Sequence, residues 1–204
     1  MAECWSCGAE RGRARFCTSC SKIQPVDPKA SSFELLGLPP AMRLDRDALD
    51  KAFREISRQV HPDGFGPGRA ETGGAGSAGG AERKLALEHT MAVNEAYRAL
   101  KTPRTRAERL MRARGIVIGQ EQDRVDDPEF LMDMLELREQ LEHARGAAVE
   151  PLAREVRARK DAALETLTRF FDDGVGSEGQ SVRALERLRF YERFLDEVDT
   201  KLDA

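Results

Sequence analysis

Apolar side chains recur at spacings of three and four residues along most of the chain, and this period constrains the fold more than any other feature. Such spacing places the apolar side chains on one face of an α-helix. Aromatic residues make up only 6% of the 204 residues and charged residues 34%, a composition that favours exposed helices over a β-sandwich. The sequence therefore predicts an all-α fold after a short cysteine-rich segment.

Proline, glycine and capping residues divide this pattern into seven predicted helices. They cover about 33–36, 45–61, 82–101, 104–114, 128–145, 151–171 and 181–203. The gaps between the last three are short to moderate, so these helices should pack antiparallel as a three-helix bundle. A segment rich in Gly, Ala and Ser, about 64–81, buries too little apolar surface to order itself and is predicted to be a flexible loop.

All four cysteines lie near the N-terminus, as two Cys-x-x-Cys pairs separated by nine residues. The pairs are Cys4 with Cys7, and Cys17 with Cys20. Thiolates at this spacing can converge on one tetrahedral Zn²⁺. Four of them fill its coordination shell and leave no open position, which argues against a catalytic metal. The alternatives are two disulfides or a redox dithiol. We predict a structural zinc ribbon over residues 1–24.

The tripeptide His61-Pro62-Asp63 follows the second predicted helix, which Pro62 ends. By itself, such a tripeptide also fits a C-capping histidine followed by a turn. The same helix carries a basic face on the side away from its apolar residues. The basic residues are Lys51, Arg54 and Arg58. This face is either an ordinary solvated surface or one that steers an acidic partner.

The surroundings of the tripeptide make the pattern more specific. Three segments read FELLGL at 33–38, FREISRQVHPD at 53–63 and NEAYRAL at 94–100. In this order they resemble the J-domain of DnaJ-class co-chaperones. The resemblance implies a J-domain over 31–115, in which helices two and three form an antiparallel hairpin and the tripeptide stimulates the ATPase of a DnaK-class chaperone. Gly64 departs from the pattern, since many J-domains carry lysine there.

The first helix of the predicted C-terminal bundle carries two apolar stripes. The core stripe consists of Phe130, Met134, Leu137 and Leu141. Leu131, Met132 and Leu135 lie about 100 to 200 degrees around the helix from that stripe. Excess apolar surface rimmed by acids, here Glu136 and Glu139, is typical of a protein-binding patch. The alternative is that these residues pack on another part of the protein.

The last helix shows a similar excess of apolar residues. Its predicted core stripe consists of Leu188, Tyr191, Leu195, Val198 and Leu202. Phe190 and Phe194 fall outside this stripe, so we expect them to point elsewhere.

The segment FLMDMLELREQLE at 130–142 resembles the signature of HscB-type J-domain co-chaperones of iron–sulfur cluster biogenesis. The likeness runs from Ser31 nearly to the end of the chain. In that family the C-terminal bundle, here 126–204, binds the scaffold protein IscU and delivers it to HscA, a DnaK-class chaperone. The matching contact residues are Leu131, Met132, Leu135, Glu136, Glu139 and Phe190. Some members also carry a four-cysteine zinc segment with a Cys-Trp-x-Cys start, which residues 4–7 resemble.

These features predict a non-enzymatic co-chaperone that bridges the scaffold and the chaperone. The alternatives are a J-domain protein with a different client and a zinc-ribbon nucleic-acid-binding protein. With 33 Lys+Arg and 36 Asp+Glu, the net charge of −3 argues against binding nucleic acid or an anionic membrane by bulk charge. No stretch approaches the roughly 20 apolar residues that span a bilayer. No leader is recognised, so we expect a cytoplasmic protein.

Overall fold

The computed structural model describes residues 2–65, 78–118 and 127–203. Most of the predicted flexible loop, 66–77, and part of the connector, 119–126, lie outside these ranges. Within them the chain forms seven α-helices, preceded by two strands of two residues each. The predicted all-α fold class is therefore confirmed. None of the helices in the described ranges is both long and apolar enough to cross a lipid bilayer.

The chain divides into two compact units. The first comprises Met1–Pro40 and Leu44–Lys101, and the second comprises Ala41–Arg43 and Thr102–Ala204.

The cysteine segment of the first unit is built from two short β-pairings. β1 (Ala2–Glu3) pairs antiparallel with β2 (Glu10–Arg11), and an isolated bridge joins Phe16 to Ile23. Each pairing closes a turn that contains one Cys-x-x-Cys pair. Gly8, in the first turn, has a φ of +72°, a left-handed conformation that glycine adopts without strain.

Three helices complete the first unit: α1 (Ser32–Leu36), α2 (Arg46–Val60) and α3 (Ala78–Lys101). Ser31 and Glu34 form a capping box at the start of α1, and Gly37 ends it with a φ of +64°. The side chain of Asp45 caps α2. α3 begins four residues before the predicted start at residue 82.

The apolar faces of α2 and α3 form a helical hairpin. The buried residues follow the predicted period: Leu49, Ile56 and Val60 on α2, with Val93, Ala96 and Leu100 on α3. Asp50 of α2 accepts a hydrogen bond from Tyr97, whereas the Val60 carbonyl ten residues later accepts one from Thr90. As the residue number rises along α2, the contacting residue number falls along α3. The two helices therefore run antiparallel, as predicted.

The second unit consists of α4 (Pro103–Ala113), α5 (Pro128–His143), α6 (Val149–Asp172) and α7 (Glu178–Leu202). The sequence placed the fourth helix within residues 31–115, whereas α4 packs on α6 and α7 in the structure. The Arg104 guanidinium bridges Glu108 of its own helix and Glu192 of α7. The domain ranges 1–24, 31–115 and 126–204 remain predictions.

The prediction for α7 needs two corrections. Phe194, expected to point away from the core, is fully buried at 0% exposure, whereas Leu202, expected in the core, is 55% exposed. α7 packs against α4, α5 and α6. Its buried side chains, with Leu185 at one edge and Phe194 at the other, therefore cover about 180 degrees of the helix circumference. Leu202 is the last residue of the helix and lies beyond most of this packing.

A matched pair of substitutions tests this arrangement. Phe194→Ala leaves a cavity in the core and should lower the free energy of unfolding of the second unit by about 3–5 kcal/mol. Leu202→Ala should change it by less than about 0.5 kcal/mol, because its side chain already contacts water. Urea unfolding followed by far-ultraviolet circular dichroism measures both values. Equal losses in the two variants would contradict the packing of α7.

Candidate functional site

The four cysteine thiols converge on one point. Their Sγ atoms all lie within 4.8 Å of one another, and the pairs Cys4–Cys20 and Cys7–Cys17 are each separated by 3.7 Å. A tetrahedral ion with Zn–S bonds of about 2.3 Å requires sulfur atoms about 3.8 Å apart, whereas a disulfide requires about 2.05 Å. The cysteines are free and fit a tetrahedral metal ion, so the predicted cluster is present and can hold a metal.

The environment of the sulfur atoms favours metal binding. Burial opposes ionisation of Cys4, but backbone hydrogen bonds from Cys7 and Ser6 outweigh it and lower the pKa of the Cys4 thiol to about 6. A backbone hydrogen bond from Ala9 favours the Cys7 thiolate, yet the neighbouring sulfurs raise the pKa of Cys7 to about 12. Thiolates this close repel one another, and a divalent cation removes that repulsion.

Basic side chains of the cysteine segment are engaged within the first unit. Arg13 forms ion pairs with Glu34 and Asp27, and Lys22 forms one with Glu82 of α3 at 2.9 Å. The Arg15 guanidinium donates to the Leu35 carbonyl at 2.8 Å. These contacts dock the segment on the helices of the first unit.

The tripeptide His61-Pro62-Asp63 lies at the connected end of the α2–α3 hairpin, directly after the last residue of α2. α2 ends at Val60, and a 3₁₀ turn follows over Pro62–Phe65. The Gly64 N–H donates to the His61 carbonyl at 2.9 Å, and the Asp63 N–H donates to His61 Nδ1 at 3.3 Å. The turn therefore presents the exposed side chains of His61 and Asp63 next to each other.

The predicted basic face of α2 is exposed. Lys51, Arg54 and Arg58 lie about 140 to 200 degrees around the helix from Leu49, which is buried. In the part of the chain that the structure describes, none of the three forms an ion pair. The adjacent acid, Asp50, accepts hydrogen bonds from Tyr97 at 2.8 Å and Arg46 at 3.1 Å, and the bond from Tyr97 lowers its pKa. The three cations therefore lack an ion-pair partner, while the exposed Glu55 beside Arg54 reduces the net positive charge of the face.

The second apolar stripe of α5 lies on the surface of the second unit. Leu131, Met132 and Leu135 are 38%, 58% and 51% exposed. The rim acids Glu136 and Glu139 are also exposed. A groove between α5 and α6 adjoins the stripe and is lined by both acids together with Leu152. Sequence reasoning missed this groove, because it depends on the packing of two helices.

Two residues that sequence reasoning missed fix the start of α5. The Asp127 side chain accepts a hydrogen bond from the Phe130 N–H and forms an ion pair with Arg187 of α7. The Arg187 hydrogen bond is the main cause of a lowered Asp127 pKa. The Arg187 guanidinium also lies 5.0 Å from the centre of the Phe130 ring. An Asp-Pro pair before an apolar period is the sequence signal of such a cap.

Phe190 lies beside the same helix. Its ring meets Phe130 edge to face, with centroids 5.4 Å apart, and its side chain is half-buried. The structure thus brings Phe190 next to α5 at the end that carries Leu131. The roles of these residues in binding a scaffold, and of the tripeptide in binding a chaperone, stay predictions.

Comparison with known proteins gives two kinds of match in sequence. Residues 126–199 match the family described as the HSCB C-terminal oligomerisation domain. The chain is 37% identical over 182 residues to the co-chaperone protein HscB homolog of Burkholderia multivorans, covering 87% of this chain and 97% of the relative. The homolog of Burkholderia cenocepacia is 36% identical with the same coverage.

Solved structures match over most of the chain. Human co-chaperone protein HscB superposes with a TM-score of 0.82 and 26% identity, covering 98% of both chains. The chaperone HscB of Vibrio cholerae gives a TM-score of 0.70 and 29% identity, covering 85% of this chain and 98% of its own. With its helical hairpin, its C-terminal helices and a relative that is 37% identical along 97% of that relative's length, the chain belongs to the HscB family of co-chaperone proteins.

Proposed function

We propose that the protein binds an IscU-type iron–sulfur cluster scaffold on its C-terminal bundle and delivers it to a DnaK/HscA-class chaperone in the cytoplasm. It stimulates the ATPase of that chaperone through His61-Pro62-Asp63 and so promotes cluster assembly and transfer. The observation that carries the proposal is the exposed stripe of Leu131, Met132 and Leu135. A protein without a partner for these three large apolar side chains would be more stable if they were buried.

The scaffold surface combines an apolar centre with an acidic rim. Apolar area removed from water stabilises a complex by roughly 25 cal/mol per Å², so the three exposed side chains supply the affinity. Glu136 and Glu139 select a partner with basic residues around its apolar contact. The cap of Asp127 and its ion pair with Arg187 hold the start of α5, so little ordering entropy is lost on binding.

The chaperone surface combines the exposed His61-Pro62-Asp63 loop with a helix face of net positive charge. The face of Lys51, Arg54 and Arg58 attracts an acidic surface at a distance and raises the rate of encounter. His61 and Asp63 then make the short-range contacts.

Both contacts belong to one chain, so binding at one site raises the effective concentration at the other. Each interface can therefore be weak, and the protein is released once the scaffold has been handed over. The chain itself forms and breaks no covalent bond in this proposal. ATP hydrolysis by the chaperone traps the scaffold in a state that gives up its cluster.

The metal of the cysteine cluster is Zn²⁺ in this proposal. Cys4, Cys7, Cys17 and Cys20 would hold it with four thiolates, which leaves no open coordination position. Its contribution is structural, because it cross-links a segment too short to form a core of its own.

We expect His61→Gln to abolish stimulation of the chaperone ATPase, since it changes the exposed side chain of the loop and no buried contact. Steady-state ATP hydrolysis by a DnaK/HscA-class chaperone at increasing co-chaperone concentration measures the effect. His143→Gln, assayed without scaffold, is the control and should stimulate like the wild type. Full stimulation by His61→Gln would exclude the proposed role of the tripeptide.

We expect the double variant Leu131→Ala/Leu135→Ala to weaken binding of an IscU-type scaffold by about ten- to a hundredfold. Two truncated anchors at roughly 1 kcal/mol or more each account for this loss. Isothermal titration calorimetry measures it, and circular dichroism verifies that helicity is kept. Val175→Ala/Leu202→Ala, two exposed apolar side chains elsewhere on the same unit, should bind normally. If the wild type does not bind the scaffold, the chain serves a different client.

We expect one zinc ion per chain after purification and dialysis. Cys20→Ser should lower the bound zinc well below one equivalent, whereas Ser6→Ala in the same segment should retain it. Elemental analysis of both variants gives the stoichiometry. A wild-type protein that carries no metal when purified under reducing conditions would refute the assignment.

A further inference from the structure

We propose that the cysteine segment is a metal-dependent brace for the His61-Pro62-Asp63 loop, with Ile23 and Phe16 as its positioning residues. The consequence for the chaperone rests on the proposed function, because it assumes that this loop contacts the ATPase.

The two ends of the loop are anchored in one apolar cluster. Val60 immediately precedes His61 and is fully buried, and Phe65 follows Asp63 by two residues. Both pack in a cluster whose buried members are Ile23, Val60 and Ala86, with Phe16, Phe65 and Leu85 partly buried around them. Two of these six side chains, Ile23 and Phe16, come from the cysteine segment. The packing beneath the loop is therefore shared between α2, α3 and the cysteine segment.

The same two residues are tied to the thiol cluster. Phe16 directly precedes Cys17, and its bridge to Ile23 closes the turn that contains Cys17 and Cys20. The Cys17 N–H donates to the Lys22 carbonyl at 2.9 Å within this turn. A metal ion that fixes the second cysteine pair thus also fixes the pairing of Phe16 with Ile23.

The first cysteine pair holds Ile23 from the other side. The indole N–H of Trp5, which lies between Cys4 and Cys7, donates to the Ile23 carbonyl at 2.6 Å. The side-chain amide of Gln24 donates to Cys4 Sγ at 3.3 Å. Ile23 is therefore positioned by both halves of the cysteine cluster.

Polar contacts with α3 set the place at which the segment docks. A ring nitrogen of His89, Nε2, is 2.8 Å from the Gln24 carbonyl oxygen, and both residues are buried. Lys22 forms an ion pair with Glu82, about two helical turns before His89 on α3. These contacts hold the segment against α3 next to Ala86, the third buried member of the cluster.

The loop itself has little internal support. The Gly64 N–H donates to the His61 carbonyl and the Asp63 N–H donates to the His61 ring, whose Nδ1 lies 3.6 Å from a carboxylate oxygen of Asp63. His61, Asp63 and Gly64 are all exposed to water. Exposed bonds of this kind stabilise a turn weakly. The conformation of the loop therefore depends on the cluster beneath it. Without a metal, the cysteine segment is too short to keep a fixed shape, and the cluster loses Ile23 and Phe16.

Amide hydrogen exchange of the full-length, zinc-loaded protein tests the brace without a chaperone. The readout is exchange at Gly64 relative to Val93, a buried residue of α3 that reports opening of the whole unit. We expect removal of zinc with a chelator, and Ile23→Ala, each to raise this ratio about tenfold or more. Returning zinc should restore it. Leu49→Ala, which truncates a fully buried residue three turns away at the other end of α2, is the control: it should raise exchange at Val93 by destabilising the unit and leave exchange at Gly64 unchanged, so the ratio should not rise.

Stimulation of the chaperone ATPase gives the second readout. The concentration for half-maximal stimulation should rise about tenfold for the zinc-free protein and for Ile23→Ala, while affinity for the scaffold stays within twofold. Ile23→Val, which removes one methyl group and keeps the packing, should recover most of the stimulation.

The two readouts separate failure of the brace from failure of the proposed function. Gly64 exchange that is insensitive to both zinc removal and Ile23→Ala would overturn the brace. A wild-type protein that stimulates no ATPase would overturn the chaperone contact, and the exchange ratio would still decide whether the segment braces the loop.

Discussion

Each helix of this protein can bury only as much of its circumference as its neighbours cover, and the exposed surfaces follow from that constraint. α2 packs mainly on α3, so the side opposite Leu49 stays in water and carries Lys51, Arg54 and Arg58. α5 has few neighbours and buries one stripe, which leaves Leu131, Met132 and Leu135 exposed. α7 is surrounded by three helices and buries half of its circumference. The two candidate binding surfaces are thus the uncovered faces of α2 and α5.

Charged side chains contribute differently to the two candidate binding surfaces. Exposed ion pairs contribute little stability individually, so the pairs of Arg187 with Asp127 and Arg159 with Asp133 matter chiefly because they orient α5. On α2 the reverse holds, since Asp50 is occupied by Tyr97 and Arg46 and no acid forms an ion pair with the three cations in the described residues. The exposed face of α5 is rigid and apolar with an acidic rim, whereas the exposed face of α2 is positively charged. Such surfaces suit two partners of different chemistry, as the proposed bridging role requires.

The cysteine segment supports the His61-Pro62-Asp63 loop, although the loop belongs to a different part of the chain. It holds too few apolar residues for a core, yet it supplies Ile23 and Phe16 to the cluster beneath the His61-Pro62-Asp63 loop. A metal ion that binds four thiols converts this segment into a rigid support. The metal site and the loop then form one mechanical unit, although no thiol comes from the helical hairpin.

The sequence by itself determined whatever depends on neighbours along the chain. The Cys-x-x-Cys spacing predicted the thiol cluster, the helical period predicted seven helices, and Pro62 predicted the end of α2, because each is a local geometric rule. Tertiary structure decided which faces are covered: Phe194 is buried and Leu202 exposed, and Phe190 rests against Phe130. It also decided that Ile23 packs under a loop about 40 residues away, since a contact of that separation leaves no periodic trace in the sequence.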